Sequence, residues 1–544
     1  MPTAVFRDYL ATILVIGIAL SCVAELAAQQ PSPPEAQPNA QDNGYMRVLL
    51  RPTHPPVFDS HHRPITAGGF VEGAPIVFED VTKQSAIDKF LHRSGTPAKS
   101  TIIEVPGSGV ALLDYDNDGW PDIYVANYGK NRLYHNNHNG NFTDVAEKAG
   151  VALGGWSAGP SWGDYDHDGR VDLFVPGYAK FDPDHAQSCD FMGTKLSCGP
   201  LGMEGEPDHL FHNNGDGTFT DVSTSAGVAD AKGYYGFAST FVDADDDGWV
   251  DLLVANDSRP NYLYRNRHNG TFEETGYLSG FALTEDGRPM ASMGIAVGDY
   301  NRDGKVDFYI SNFSDDYSVL FKNEGSGIFS DVTYQAGLVE PTIPFLKWGT
   351  GFLDYDNDGL LDLFVANGHV FPIIDKQNWG TTWAQRPQLF RNIDGTRFQE
   401  VPPASGSGLA EVIPARGAAF GDIFNDGHID VVINNVDALP TLLRNVARNG
   451  NHWVGLKLIG GPKSPRDAIG AKVFLTAGGV RQRADVFSGG SYGSNSDPRV
   501  HFGLGRASKV DKVEIQWPSG TRQEISLPRV DKIFTVDEAK GLVK

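Results

Sequence analysis

Aspartates recur along this chain at places one, three, five and nine of a short segment, with glycine at place six. The first segment holds Asp114, Asp116, Asp118 and Asp122, and the second Asp164, Asp166, Asp168 and Asp172. The third holds Asp243, Asp245, Asp247 and Asp251, and the fourth Asp299, Asn301, Asp303 and Asp307. The fifth holds Asp354, Asp356, Asp358 and Asp362. The sixth keeps Asp422, Asp426 and Asp430 but has Phe424 at its third place. Alternate side-chain oxygens in such a segment converge on one point, and the glycine lets the backbone turn sharply. Carboxylates held that close repel one another unless a hard cation sits among them. The expected chemistry is Ca²⁺ binding, with about five good sites and a degraded sixth. Asn301 keeps an oxygen but loses a charge, so the fourth site is expected to be weaker.

Other reactive patterns are sparse. The sequence contains no P-loop, no G-x-S-x-G, no H-E-x-x-H and no dinucleotide fingerprint. A reaction centre is not usually copied six times, so the ions are read as structural pins and no catalytic residue is assigned. His135 and His212 stand where other repeats carry Arg or Lys, which makes them solvated edge residues on sequence grounds. His369, with Asp375, Trp379 and Trp383 nearby, is the candidate ligand-binding cluster. Such rings stack on sugars or fill a core, and a loop histidine packed beside buried aromatics is the plainer alternative.

The elements that must position the loops repeat with them. First aspartates fall at 114, 164, 243, 299, 354 and 422, a period of about 50 to 55 residues with insertions, which suits one four-stranded propeller blade per repeat. A β-branched and aromatic strand leaves each loop, as in Asp122-Ile-Tyr-Val-Ala, and a strand ending in Asn follows, as in Leu133-Tyr-His-Asn136. An NG or DG turn then leads to Phe142-Thr-Asp-Val or Phe219-Thr-Asp-Val. Phe78-Glu-Asp-Val precedes the first loop and matches the end of a blade, so it is expected to complete the last one and close the ring. The fold class is therefore all-β: a six- or seven-bladed β-propeller with calcium-binding loops plus a small C-terminal β domain. Insertions at about 176–207 and 368–386 are expected on one face, where binding segments of repeat folds gather.

Four segments follow. Residues 1–28 read as a secretory signal peptide, with Arg7 before an apolar run and Ala27-Ala28 at its end. Residues 29–76 form a Pro/Gln-rich linker and a poorly defined stretch. Residues 77–450 form the propeller, and 451–540 a separate β domain. The formal charge of −23 is largely that of the loops, and six divalent ions would return about half of it. There is no basic stripe, which argues against nucleic acid as a partner. A membrane enters only through an uncleaved signal or lipid on Cys22, whose context Ala-Leu-Ser-Cys is a poor lipobox. Cys189 and Cys198 lie in one insertion and are most simply a local disulfide, with a metal pair as the weaker alternative.

The tandem loops between short strands resemble the FG-GAP/VCBS repeats of integrin-α-type propellers. The tail resembles an ASPIC/UnbV domain in Asn451-His-Trp, Arg466-Asp-Ala-Ile-Gly-Ala, Ser488-Gly-Gly-Ser-Tyr, His501-Phe-Gly-Leu-Gly and Trp517-Pro-Ser-Gly. Together they resemble the cartilage-acidic-protein-like architecture. The resemblance implies a secreted, periplasmic or cell-surface scaffold that binds an extracellular protein or glycan without catalysis. The alternative is a calcium-dependent, lyase-like carbohydrate-active enzyme on the same scaffold, with His369 and Arg386 as first suspects. A redox-cofactor propeller is disfavoured because no CxxCH is present.

Overall fold

A computed structural model of the protein describes residues 70–543 apart from 74, 86, 88–90, 100, 108, 192 and 378. The expected signal peptide, Cys22 and most of the expected linker lie outside the described residues. The described residues all fall in one compact unit.

Six antiparallel four-stranded sheets among the described residues form the blades. Blade 1 comprises Gly109–Leu113, Asp122–Ala126, Arg132–Asn136 and Phe142–Asp144. Blade 2 comprises Ser161–Gly163, Asp172–Val175, His209–Asn213 and Phe219–Asp221; blade 3 comprises Gly236–Val242, Asp251–Asn256, Tyr262–Asn266 and Phe272–Glu274. Blade 4 comprises Ser292–Gly298, Asp307–Asn312, Val319–Gly325 and Ile328–Asp331; blade 5 comprises Lys347–Leu353, Asp362–Asn367, Gln388–Asn392 and Phe398–Glu400. Blade 6 takes Ala415–Gly421, Asp430–Asn435 and Thr441–Asn445, and its fourth strand is Phe78–Asp80 from the other end of the propeller, with Phe78 opposite Asn445. Among the described residues the blade count is thus six, and the predicted ring closure by the N-terminal strand is present.

Burial explains why these segments fold as blades. The second strands of blades 2 to 5 are buried along their whole length, because each sheet is covered on both faces by its neighbours. Aromatic pairs join the blades, Tyr124 with Trp162 at 6.1 Å and Phe364 with Phe420 at 5.9 Å between ring centroids. The turn after each fourth strand carries a one-turn helix that ends on a left-handed glycine in four of the blades, Gly150, Gly227, Gly280 and Gly337.

The tail has two further four-stranded sheets. One orders Val500–Gly505, His452–Ile459, Lys532–Asp537 and Gly541–Leu542, and the other Val480–Asp485, Lys472–Ala477, Lys512–Gln516 and Arg522–Ile525. Val454, Leu456, Val473, Leu475, Val513 and Ile515 share their core, which continues into Trp162 and Leu173 of blade 2.

Antiparallel connection puts the loops between first and second strands on one end of the ring and those between second and third strands on the other. The acidic loops occupy the first end, and the tail domain covers it. A finger of the tail, Phe487 to Arg499, runs on into the central channel. Gly490 N–H donates to the Ser239 carbonyl (2.9 Å), Ile295 N–H to the Ser491 carbonyl (3.0 Å), and Ser491 Oγ–H to the Ala418 carbonyl (2.7 Å). Tyr492 at its tip is buried among Phe237, Trp348 and Met293. A Cβ at Gly417 would lie 2.3 Å from Ser494 Oγ, so the bare strand makes the room that the finger uses.

The insertions gather at the other end. The blade 2 insertion carries the hairpin Ser188–Phe191 and Thr194–Ser197, closed by the Cys189–Cys198 disulfide. Phe191 from this hairpin meets Trp379 of the blade 5 insertion edge to face at 4.8 Å.

Candidate metal loops and insertion face

All six acidic loops are built on one plan. The first aspartate accepts the backbone N–H groups of places five and six. For Asp114 these are Asp118 at 2.9 Å and Gly119 at 2.7 Å, and for Asp422 they are Asp426 and Gly427, both at 2.9 Å. The fifth-place carboxylate accepts the N–H of place seven, as Asp358 does from Leu360 at 2.9 Å. The ninth-place aspartate ties the loop to the third strand by accepting the N–H of its terminal asparagine. Asp172 does so from Asn213, and Asp307 from Asn323, each at 2.8 Å. The sixth-place glycines sit at φ between 85° and 99°, where a Cβ is strained. Local sequence thus folds each loop into a ring of acceptors fed by backbone donors.

The carboxyl groups are poised for a cation. Carboxylate oxygens of Asp114, Asp116 and Asp118 lie within 4.8 Å of one another, as do those of Asp164, Asp166 and Asp172 and those of Asp243, Asp245 and Asp251. Burial, opposed by backbone donors and reinforced by neighbouring carboxylates, pushes Asp164 up to about 8 and Asp114 and Asp299 up to about 7. Burial pushes Asp354 and Asp362 well above the carboxylate range, with Asp356 adding to both. Asp166 Oδ1, Asp307 Oδ2 and Asp356 Oδ1 are buried without a hydrogen-bond donor. Orphaned, crowded oxygens of this kind fit a hard divalent ion, which would satisfy them and hold them ionised.

The sixth loop differs. Phe424 is exposed, and the Arg444 guanidinium lies over its ring at 4.3 Å while also pairing with Asp426 at 2.9 Å. A side-chain cation takes part of the space left by the missing ligand.

The residue before each strand-ending asparagine faces the acids of its loop in five of the six blades. Arg391 lies 3.0 Å from Asp356 and 3.1 Å from Asp358, and Arg265 pairs with Asp245. His135 and His212 take the same place, which corrects the sequence reading of them as solvated edge residues. His135 Nδ1 is 3.2 Å from Asp122 and 3.4 Å from Asp116, and His212 Nδ1 is 3.3 Å from both Asp166 and Asp172. The signal was present in the sequence as a column of Arg, Lys and His one residue before the asparagine.

At the insertion end, His369 is buried. Its Nδ1 accepts Phe371 N–H at 3.2 Å, and its carbonyl accepts Arg416 Nη2 at 3.2 Å. Burial and the nearby Arg416 push its pKa down to about 3. Trp383 is half-buried, with the Arg416 guanidinium 5.3 Å from its ring centroid. Trp379 stands apart against Phe191. Arg386 pairs with the fully buried Glu400 at 2.6 Å. The structure therefore brings His369 and Trp383 together at Arg416 and places Trp379 in the insertion contact. Arg416 itself is 1% exposed and was missed from sequence, because a lone arginine in a strand gives no local sign of burial.

Sequence families match this architecture. An FG-GAP-like repeat family matches residues 114–175, 243–310, 299–365 and 354–433, and the ASPIC and UnbV family matches 461–543. The chain thus carries FG-GAP-like repeats followed by an ASPIC and UnbV domain. Among named proteins it is similar to Cartilage acidic protein 1. The mouse protein is 27% identical over 281 residues, covering 50% of this chain and 40% of the relative; the human protein is 26% identical over 329 residues, covering 58% and 46%. The chain thus spans less than half the length of these curated relatives. Among solved structures, an Agrocybe aegerita lectin described as recognising non-reducing terminal N-acetylglucosamine has a TM-score of 0.37 at 15% identity, covering 63% of this chain and 81% of the lectin. A Bacillus licheniformis rhamnogalacturonan lyase has a TM-score of 0.29 at 13% identity, covering 67% and 75%.

Proposed function

We propose that the protein is an exported, calcium-stabilised propeller that binds an extracellular protein or glycan through its insertion face and performs no catalysis. The observation that carries this reading is the cover over the opposite end. The tail domain caps the acidic loops and its finger fills the channel, so the insertion face is the end of the ring left to meet a partner. In the loops, the carboxylates would hold the ion, which supplies positive charge that keeps them ionised and in place. The backbone donors fix the first and fifth carboxylates, and the ninth fastens the loop to its blade. The buried state of His369 and the pairing of Arg386 with Glu400 leave neither free to move a proton on a sugar, which supports binding over cleavage. The names of the curated relatives agree with an extracellular setting, and no helix among the described residues is long and apolar enough to cross a membrane. A glycan array combined with prolonged incubation on acidic polysaccharides tests the proposal. Retention without product supports it, whereas new ultraviolet absorbance from unsaturated oligosaccharides would establish a lyase.

A further inference from the structure

Place four of each loop is not a metal-ligand position, yet it is the most distinctive backbone site. Asn117, His167, Asp246, Arg302, Asn357 and Asn425 all hold left-handed backbone, with φ between 53° and 63°. This conformation is unfavourable for any residue but glycine, and Asn and Asp tolerate it best. Four of the six meet the tail domain. Asn117 Oδ1 accepts Arg466 N–H at 2.9 Å, and Asn357 Oδ1 meets His501 Nε2 at 2.7 Å. Asn425 Oδ1 accepts Arg499 Nη1 at 2.6 Å. Asp246 Oδ1 accepts both Lys472 Nζ at 2.7 Å and Arg483 Nη1 at 2.8 Å, and both cations are buried.

We propose that these fourth-place side chains are docking hooks that couple metal loading of the ring to seating of the tail domain. This rests on the calcium reading of the loops. In the first five loops places three and five flank the hook and both carry ligands, so an ion that draws them together also fixes the left-handed residue between them; in the sixth, only Asp426 at place five does so for Asn425. Without the ion, the crowded carboxylates spread and the hook loses its aim. The tail therefore favours the loaded ring. By linkage, a seated tail must raise the affinity of the loops for the ion by the same factor. Asn357 shows the arrangement most fully. Its side chain also donates to the Gly427 carbonyl of the next loop at 3.0 Å, and its own carbonyl accepts Gly505 N–H at 2.8 Å. One hook thus ties loop five, loop six and the tail.

The test uses the full chain carrying Asn117→Gly, Asn357→Gly and Asn425→Gly together. Glycine is at ease in left-handed backbone, and every carboxylate is retained. Calcium titration by calorimetry is expected to show affinity lowered about fivefold or more, the scale of typical coupling. In the unaltered chain, chelator below the melting temperature is expected to speed hydrogen exchange in 453–458 and 500–505. Unchanged affinity in the triple variant, or tail exchange unmoved while calcium is stripped, overturns the coupling. An unaltered chain that takes up no calcium overturns the loop reading itself. Should the triple variant not fold, His501→Phe, which cuts one hook from the tail side, carries the same expectation for loop five alone.

Discussion

The side-chain amide of Asn445 donates to the backbone carbonyl of Tyr355, 2.9 Å away and 90 residues earlier in the chain. The same bond joins Asn213 to Tyr115, Asn266 to Tyr165, Asn323 to Ala244 and Asn392 to Tyr300, at 2.8 to 3.0 Å. In each case the asparagine that ends a third strand reaches the second place of the preceding blade's acidic loop. Where that place is Tyr115, Tyr165 or Tyr300, its ring also packs on the fourth-strand phenylalanine of the following blade, at 5.7 to 6.0 Å. Loop and neighbouring blade are therefore one mechanical unit. Replacing Asn445 with Ala strands a buried carbonyl and is expected to cost about 1–3 kcal/mol in denaturant unfolding. Asn136→Ala removes a side chain whose amide donates only to Pro121 of its own blade and whose residue is half-buried, so it is expected to cost less.

Removing the ion should loosen the ring from every loop at once. A ligand present at about 100 times its Kd adds about 2.7 kcal/mol per site to a state that alone binds it. Excess chelator is therefore expected to lower the melting temperature sharply, and added calcium to restore it. Asp356→Ala should cost more than Asp426→Ala, because the sixth loop has already exchanged a ligand for Phe424 and Arg444. A melting curve indifferent to chelator would end the structural-ion reading.

Tyr492 is the buried tip of the tail's finger, with its hydroxyl 3.3 Å from the Pro106 carbonyl. Truncation to Ala opens a cavity in the channel and is expected to cost about 3–5 kcal/mol, as for other large aromatic residues. Tyr492→Phe gives up only one long hydrogen bond and should cost about 1 kcal/mol or less. Equal losses in the two variants would show that the hydroxyl, not the ring, holds the finger.

Acid should weaken the insertion end. His369 is held neutral in the fold, with its pKa pushed down to about 3 from 6.5. The unfolded chain takes up a proton below about 6.5 while the folded one does not, so this stability is complete above that pH and drains away as pH falls toward 3. Melting temperatures measured from pH 7 to pH 4 in saturating calcium are expected to fall more steeply for the native sequence than for His369→Gln. Parallel slopes would sink the assignment.

Much of the ring was legible because its determinants are local. Alternating strands, NG turns and acidic loops repeat within about 55 residues, a span in which periodicity can be read directly. Phe78-Glu-Asp-Val could be assigned to the last blade because it copies a strand whose own blade lacked it. The tail's seat was not legible, since Lys472, Arg483 and Arg499 look like ordinary surface cations until the fold sets them against Asp246, Gly304 and Asn425. The asparagine bridges stayed hidden for the same reason: their partners lie 79 to 101 residues away. His369 has two readings in sequence, a ligand-binding residue or a loop histidine packed beside buried aromatics, and its burial beside Phe313 and Phe371 agrees with the second.

The strand Phe78–Asp80 leaves the ribosome long before Thr441–Asn445, the strand it pairs with. A nascent chain therefore carries an unmatched sheet edge through most of its synthesis, and the ring cannot be completed until nearly all of it has been made. Any truncation upstream of residue 441 would leave that edge permanently bare, and such fragments should associate with one another rather than persist as smaller propellers.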